Sequence, residues 1–176
     1  MKTTEEIYNS LKENFKESII ELNSSLPVEP FIVVRPQSID EVSLFLKENE
    51  ELKFDSLMCL SGVDDANSEK STNEDGTSRT KGGTLSVVYH LESTELKHKV
   101  VLKVSVSKDN PEVKSVAGIW RHADWHEREA YDLLGIMFLN HPDLRRILMP
   151  YDWEAGYPLR KDYENPEFYQ GMKVPY

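Results

Sequence analysis

A single cysteine, Cys59, stands in a chain of 176 residues. One thiol excludes a disulfide framework, a cysteine-rich zinc site and a self-contained iron–sulfur cluster, each of which needs several thiolates. Positive charge is also scarce: 21 Lys+Arg face 31 Asp+Glu, for a net charge of -10. A nucleic-acid binder needs a basic footprint to displace counterions, so that class is excluded. Strictly apolar runs, such as Phe31–Val34, stop at four residues, far short of a membrane span. The first residues, Met1-Lys2-Thr3-Thr4-Glu5-Glu6, lack an apolar signal-peptide core, and the expectation is a soluble, cytoplasmic chain. No internal repeat and no dinucleotide or P-loop glycine pattern is present. What is left is one core: a chain of this size buries about 70 % of its unfolded surface.

The residues that are present are distributed unevenly. Eleven of the 17 aromatics lie between Trp120 and Tyr176. Of seven arginines only Arg35 and Arg79 precede Arg121, whereas twelve of fourteen lysines do. Guanidinium is weakly hydrated and forks onto carboxylates, so it suits desolvated contacts, while lysine keeps a surface solvated. Aromatics and arginine with little lysine are the composition of a protein–protein interface. The first two thirds therefore read as a domain and the last third as a segment that binds.

In the first part, Thr3-x-x-Glu6 forms a capping box, and Ile7, Leu11, Phe15 and Ile19 follow at helical spacing. Ile19–Leu22 starts a short strand, and Phe31–Arg35 is a clearer one. Ser38-x-x-Glu41 is a second capping box ahead of the apolar stripe Ile39, Val42, Phe45 and Leu46. Ser56–Val63, mostly apolar, is expected as a central strand with Cys59 in the core. Residues 64–83 hold one apolar residue, Ala66, and read as a solvated loop, either a hairpin tip or an insertion. Leu85–Leu91 and Lys99–Ser107 are strands, the second placing Val100, Leu102, Val104 and Val106 on one face. This order predicts an α+β fold: a two-layer arrangement with helices on one face of a small mixed or antiparallel sheet.

A third helix is expected over Trp125–Leu134, with Asp124 as N-cap, Glu127 reaching back and Gly135 ending it. Arg128 and Asp132 can then pair across one turn, and Ile136–Leu139 returns as a strand to the sheet. Three chemistries suggest themselves on these residues, and each is weak. His126-Glu127-Arg128-Glu129-Ala130 is one residue short of a zinc-binding His-Glu-x-x-His motif, because Ala130 supplies no second imidazole. Glu127 and Glu129, two apart on a helix, point away from each other and make a poor acid–base pair. Cys59 has no neighbouring cation to activate it. A stand-alone hydrolase using His122, His126, Glu127 and Glu129 is the enzymatic alternative.

Beyond that helix, prolines at 142, 150, 158, 166 and 175 forbid a long helix or a central strand. The segment is nonetheless too aromatic for a disordered tail. An extended, proline-stiffened chain with Trp, Tyr and Arg anchors suits docking along another protein; the alternative is a coil packed on its own domain. The division is thus a domain over 1–140 and a partner-binding segment over 141–176.

Here the sequence resembles a known signature. Glu127-Arg128-Glu129-x-x-Asp132-Leu133-Leu134, then His141, then Arg145-Arg146-x-Leu148-Met149, is similar to the thirty-kilodalton subunit family. Its members are the C subunits of proton-translocating NADH–quinone oxidoreductase, respiratory complex I. Trp153 and the run Pro158-Leu159-Arg160-Lys161-Asp162-Tyr163 continue the likeness, with Tyr157 where the family often has histidine. The specific resemblance covers about Trp120–Tyr163. It implies a non-catalytic subunit of the peripheral arm that holds no cofactor of its own, with FMN, iron–sulfur clusters and quinone on partner subunits. The implied partners are the large quinone-site subunit and the iron–sulfur subunits. The implied location is the cytoplasmic side of the cell (inner) membrane, reached only through the complex. A related membrane-bound hydrogenase or a quinone reductase with another donor is the alternative assembly. Glu127, Arg128, Glu129 and Asp132 are expected to form an ion-pair network with Arg145 and Arg146.

Overall fold

The computed structural model describes residues 1–25, 27, 29–72 and 78–174; of residues 70–72 and 78–81 it describes the backbone alone. Helix α1 (Thr4–Phe15) begins on the expected capping box: the Thr3 hydroxyl accepts from the Glu6 N–H, and the Glu6 carboxylate accepts from the Thr3 N–H. Its buried face is Ile7 and Leu11, whereas Ile19 already belongs to strand β1 (Ile19–Asn23). Strand β2 (Phe31–Val34) pairs antiparallel with β1, and helix α2 (Ile39–Glu48) follows a short 3-10 turn opened by Pro36. The second capping box is not formed. Ser38 turns its hydroxyl to that of Ser18, 3.0 Å away, which ties the start of α2 to the end of the α1 connection.

Strands β3 (Ser56–Asp64), β6 (Thr84–Ser93) and β7 (His98–Ser107) complete a five-stranded mixed sheet in the order β1-β2-β7-β6-β3. Only the β2–β7 pair is parallel, across the crossover that includes α2. Between β3 and β6, β4 (Glu69–Thr72) and β5 (Ser78–Lys81) form a small antiparallel ladder, so the polar stretch is a hairpin over those residues; 73–77 lie outside the described residues. Period-two alternation sorts the sheet. Leu85, Val87, Tyr89 and Leu91 of β6 face Val100, Leu102, Val104 and Val106 of β7, and both sets are buried with the apolar faces of all three helices. Their alternates Val88, His90, Lys103 and Ser105 remain half-exposed or exposed.

Two expectations about β3 are corrected. It is an edge strand, paired among the described residues with β6 alone. Its register slips between Leu57 and Cys59, so Met58 is an extra residue that lets Leu57 and Leu60 both face the core at a spacing of three. That bulge rotates Cys59 out of the core: it is half-buried, its Sγ 3.4 Å from the Ser61 hydroxyl. Where β3 passes helix α3 (Ala123–Leu134), Gly62 leaves the room the helix needs. A Cβ there would lie 2.5 Å from Leu134 Cδ1 and 3.1 Å from Ala130 Cβ.

Strand β8 (Glu112–Lys114) and strand β9 (Met137–Leu139) pair with each other in parallel. The expected return of 136–139 to the main sheet is therefore replaced by a separate two-stranded ladder. After β9 the chain runs through turns to a short hairpin, β10 (Phe168–Tyr169) and β11 (Met172–Lys173). Among the described residues no helix is long and apolar enough to cross a membrane.

Candidate functional site

Helix α3 carries most of the motif residues, and it begins two residues earlier than expected. His122 is its N-cap, with no side-chain capping bond, so Asp124 lies inside the first turn. Glu127 does not reach back to cap. Its fully buried carboxylate turns to the preceding loop and accepts from the Ser115 hydroxyl at 2.6 Å and the Val116 N–H at 2.7 Å. Burial raises the Glu127 pKa to about 7; the Asp124 charge adds to that, and the donors from Ser115 and Val116 pull the other way. The side chain of His141 is buried against the same helix turn, with Nε2 3.2 Å from the Asp124 carbonyl and 3.8 Å from Glu127 Oε2.

One turn further along, Asp132 is the anchor of the following chain. Its buried carboxylate receives the Arg146 guanidinium at 2.7 Å, and the backbone N–H groups of Ile147, Leu148 and Met149 converge on Oδ2 at 2.8–3.0 Å. Burial alone would raise its pKa. The N–H groups of Met149 and Leu148, the Arg146 side chain and the Ile147 N–H outweigh that and hold the carboxyl below the usual range. Arg146 also donates to the Trp153 carbonyl at 3.3 Å, extending the same knot by seven residues.

The expected Arg128–Asp132 pair is not formed, because Asp132 is already saturated by the incoming loop. Arg128 instead donates to the Arg145 carbonyl at 3.3 Å, and its guanidinium lies 5.0 Å from the centre of the Trp125 ring. The side chain of Arg145 is 57 % exposed and pairs with Asp143, and Glu129 is exposed. Of the six residues of the expected network, the structure joins Asp132 to Arg146 by side chains and Arg128 to Arg145 through the backbone.

A second anchor follows. Gly135 ends α3 with φ of +75°, and the Tyr157 ring and the Arg160 guanidinium occupy the space where a Cβ would stand. Arg160 donates to the Leu134 carbonyl at 2.7 Å and lies over the Tyr157 ring, while the Leu159 N–H bonds the Leu133 carbonyl at 3.0 Å. The last carbonyls of the helix thus find their partners in the returning chain rather than in water. Gly135→Ala is expected to lower stability by about 2 kcal/mol, because a side chain at positive φ is strained and displaces Tyr157. A thermal melt, with exchange of the Leu159 amide, checks this.

A third anchor was invisible in the sequence. Asp64, at the end of β3, holds Lys108 at 2.7 Å in a pair with almost no exposed surface, and it also accepts from the Lys161 N–H at 2.9 Å. Lys108 reaches Asp162 at 3.6 Å. Tyr163 closes a turn on Arg160, and the Trp153 ring packs at a tilt against Tyr169 while donating to the Gly156 carbonyl. Residues 108 and 64 carry no local signal for this pairing, nor does Ser115 for Glu127. Tyr157 could have been singled out, being the position where the chain departs from its resemblance.

Other side chains are turned outward. Trp125 is 64 % exposed and lines an open concavity with Arg121, His122 and His126. Among the described residues no group of three His, Cys, Asp or Glu side chains could hold a metal ion.

These contacts define a class of protein: an α+β domain whose third helix is the mooring for a long, mostly irregular C-terminal chain. Residues 32–169 match the family described as respiratory-chain NADH dehydrogenase, 30 Kd subunit. The chain belongs to that family, the C subunits of NADH–quinone oxidoreductase. It is 45 % identical over 173 residues to the NADH-quinone oxidoreductase C subunit of Chloroherpeton thalassium, covering 96 % of this chain and 64 % of that one. It therefore spans a little under two thirds of that relative. The corresponding C subunit of Chlorobium phaeobacteroides is 42 % identical over 170 residues, covering 96 % and 93 %. Among solved structures, the Nqo5 trypsin-resistant fragment (1-134) has the same fold, with a TM-score of 0.56, 23 % identity, and coverage of 77 % of this chain and 97 % of that one.

Proposed function

We propose that this chain is a non-catalytic structural subunit of the peripheral arm of NADH–quinone oxidoreductase. It holds no flavin, iron–sulfur cluster or quinone. It braces the large quinone-site subunit and the iron–sulfur subunits, on which residues 141–176 lie, while other chains carry electrons from NADH to quinone and couple this to proton translocation. It is held at the cytoplasmic side of the cell membrane by the complex.

The observation that carries this reading is the pattern of exposure. Trp125 is 64 % exposed and Tyr151 84 %, and Leu148, Leu159, Phe168 and Met172 are each more than half exposed. Five of these six lie within residues 148–172; large apolar side chains left exposed mark a contact surface, and Trp, Tyr and Arg are the types that dominate binding energy. The motif residues Asp132, Arg146 and Arg160, by contrast, are occupied in shaping that surface.

Hydroxyl-radical footprinting of Trp125 and Tyr151, in the isolated chain and in the purified oxidoreductase complex, tests the reading. Protection of both side chains in the complex is the expected result. Equal labelling in the two states, or a purified complex without this chain, overturns it.

A further inference from the structure

The joint between α3, the loop before it and the corner after β9 contains a buried acid without a counter-charge. Glu127 has no exposed surface, and its two hydrogen-bond donors, the Ser115 hydroxyl and the Val116 N–H, are both neutral. The charged and titratable groups around it come from three directions. From α3 itself, Asp124 brings a second carboxylate, whose Oδ1 is buried without a hydrogen-bond partner. The neighbouring Arg128 is turned away, onto the Trp125 ring and toward Asp124 at 4.0 Å. From the sheet, the Tyr89 hydroxyl is buried and unpartnered; burial first, and the Glu127 charge second, push its pKa well up.

From the corner after β9 comes His141. Its Nδ1 accepts the Asp143 N–H at 3.0 Å, so Nε2 carries the proton and points at the Asp124 carbonyl. The same Nε2 lies 3.5 Å from Asp124 Oδ1 and 3.8 Å from Glu127 Oε2. To become a cation beside Glu127 the imidazole must place a proton on Nδ1, where the Asp143 N–H already points, and that bond must break. A buried carboxylate with no cation in contact is costly, and the ordinary escape is to hold its proton.

We propose that Glu127 is a proton-binding site that works as a latch. With its proton on, the acid sits dry in the joint between the Ser115–Val116 loop and His141; the charge left when the proton is lost draws water in and loosens the joint against the pull of its two donors. The raised Glu127 pKa, about 7, accords with this. The sign follows from linkage. A folded-state pKa above the unfolded value means that the contribution to stability is fully present below about pH 4.5 and is lost as pH rises through about 7. His141 opens the chain moored at Asp132, so the latch sits at the root of that segment. This holds for the chain itself, whether or not the segment braces partners.

Carboxyl-carbon NMR of the full chain labelled at glutamate side chains, with amide exchange across the same pH range, tests it. One carboxyl is expected to titrate near neutral pH in the native chain and to be missing in Glu127→Gln. The Val116 and Asp143 amides, corrected for intrinsic exchange, should lose about tenfold in protection between about pH 6 and pH 8 in the native chain but not in that variant. Ser115→Ala keeps the carboxyl and removes a donor to its charged form, so it should move the titration upward; this arm remains readable if Glu127→Gln does not fold. A Glu127 carboxyl that stays ionised throughout, or one that titrates with no change in exchange, overturns the proposal.

Discussion

Asp132→Ala is expected to destabilise the chain by about 3–5 kcal/mol, the range for removing one partner of a buried charge pair. The substitution strands the Arg146 guanidinium, which is only 21 % exposed, and it also orphans the N–H groups of Ile147, Leu148 and Met149. Each buried donor without a partner costs about 1–3 kcal/mol, so relaxation of residues 146–149 into water is what keeps the total within that range. Asp132→Asn should cost less, since a carbonyl oxygen remains for some of the donors. Arg146→Ala should cost least of the three, because Asp132 keeps its three backbone donors. Urea unfolding orders the variants, and amide exchange at 147–149 reports release of the loop. A native-like midpoint for Asp132→Ala would falsify the assignment of this side chain as the mooring.

Gly62→Val should cost about 3 kcal/mol, the upper end of ordinary overpacking. The β3 backbone and α3 approach so closely that even one methyl at residue 62 meets Ala130 Cβ, which cannot move without the helix. Gly62→Ala should be milder, because its tightest contact is the end of the Leu134 side chain, which can change rotamer. Trimming that side chain with Leu134→Val should recover part of the loss from Gly62→Ala. Thermal melts of the single and double variants measure the coupling, and strict additivity would rule out the close approach as the cause. The consequence reaches beyond stability, because α3 carries Glu127, Asp132 and the Gly135 turn on one rigid element.

Both sets of expectations concern contacts that the sequence could not display. The capping box at Thr3 and Glu6 was legible because it spans four residues and needs no third party. The alternation Val100, Leu102, Val104 and Val106 was legible because a strand repeats every two residues and one face of β7 is buried. Ser38 looked equally good as a cap, yet Ser18, twenty residues away in sequence, took its hydroxyl. Leu57-Met58-Cys59-Leu60 looked like the core of a central strand, yet the strand order puts it at the sheet edge and one bulged residue turns its cysteine outward. The charged cluster fared similarly. Its residue types and their importance to the segment were visible, but Arg145 and Arg146 are interchangeable in a sequence, and only the path of the loop decides which guanidinium meets Asp132.

By itself the sequence determined what this protein lacks, where its three helices and the five strands of its main sheet lie to within a few residues, and which family signature it carries. Those properties depend on composition and on repeats of two to four residues, which the backbone enforces locally. The tertiary structure alone decided that Glu127 is an uncompensated buried acid, that Asp132 moors residues 146–149, and that Asp64 and Lys108 hold Lys161 and Asp162. A buried polar group takes whichever partner the packed chain delivers within about 3 Å, and that depends on the whole path of the backbone. The lone Cys59 illustrates the division. Its solitude was evident from composition, and its position on the open face of the sheet followed from a register shift one residue away.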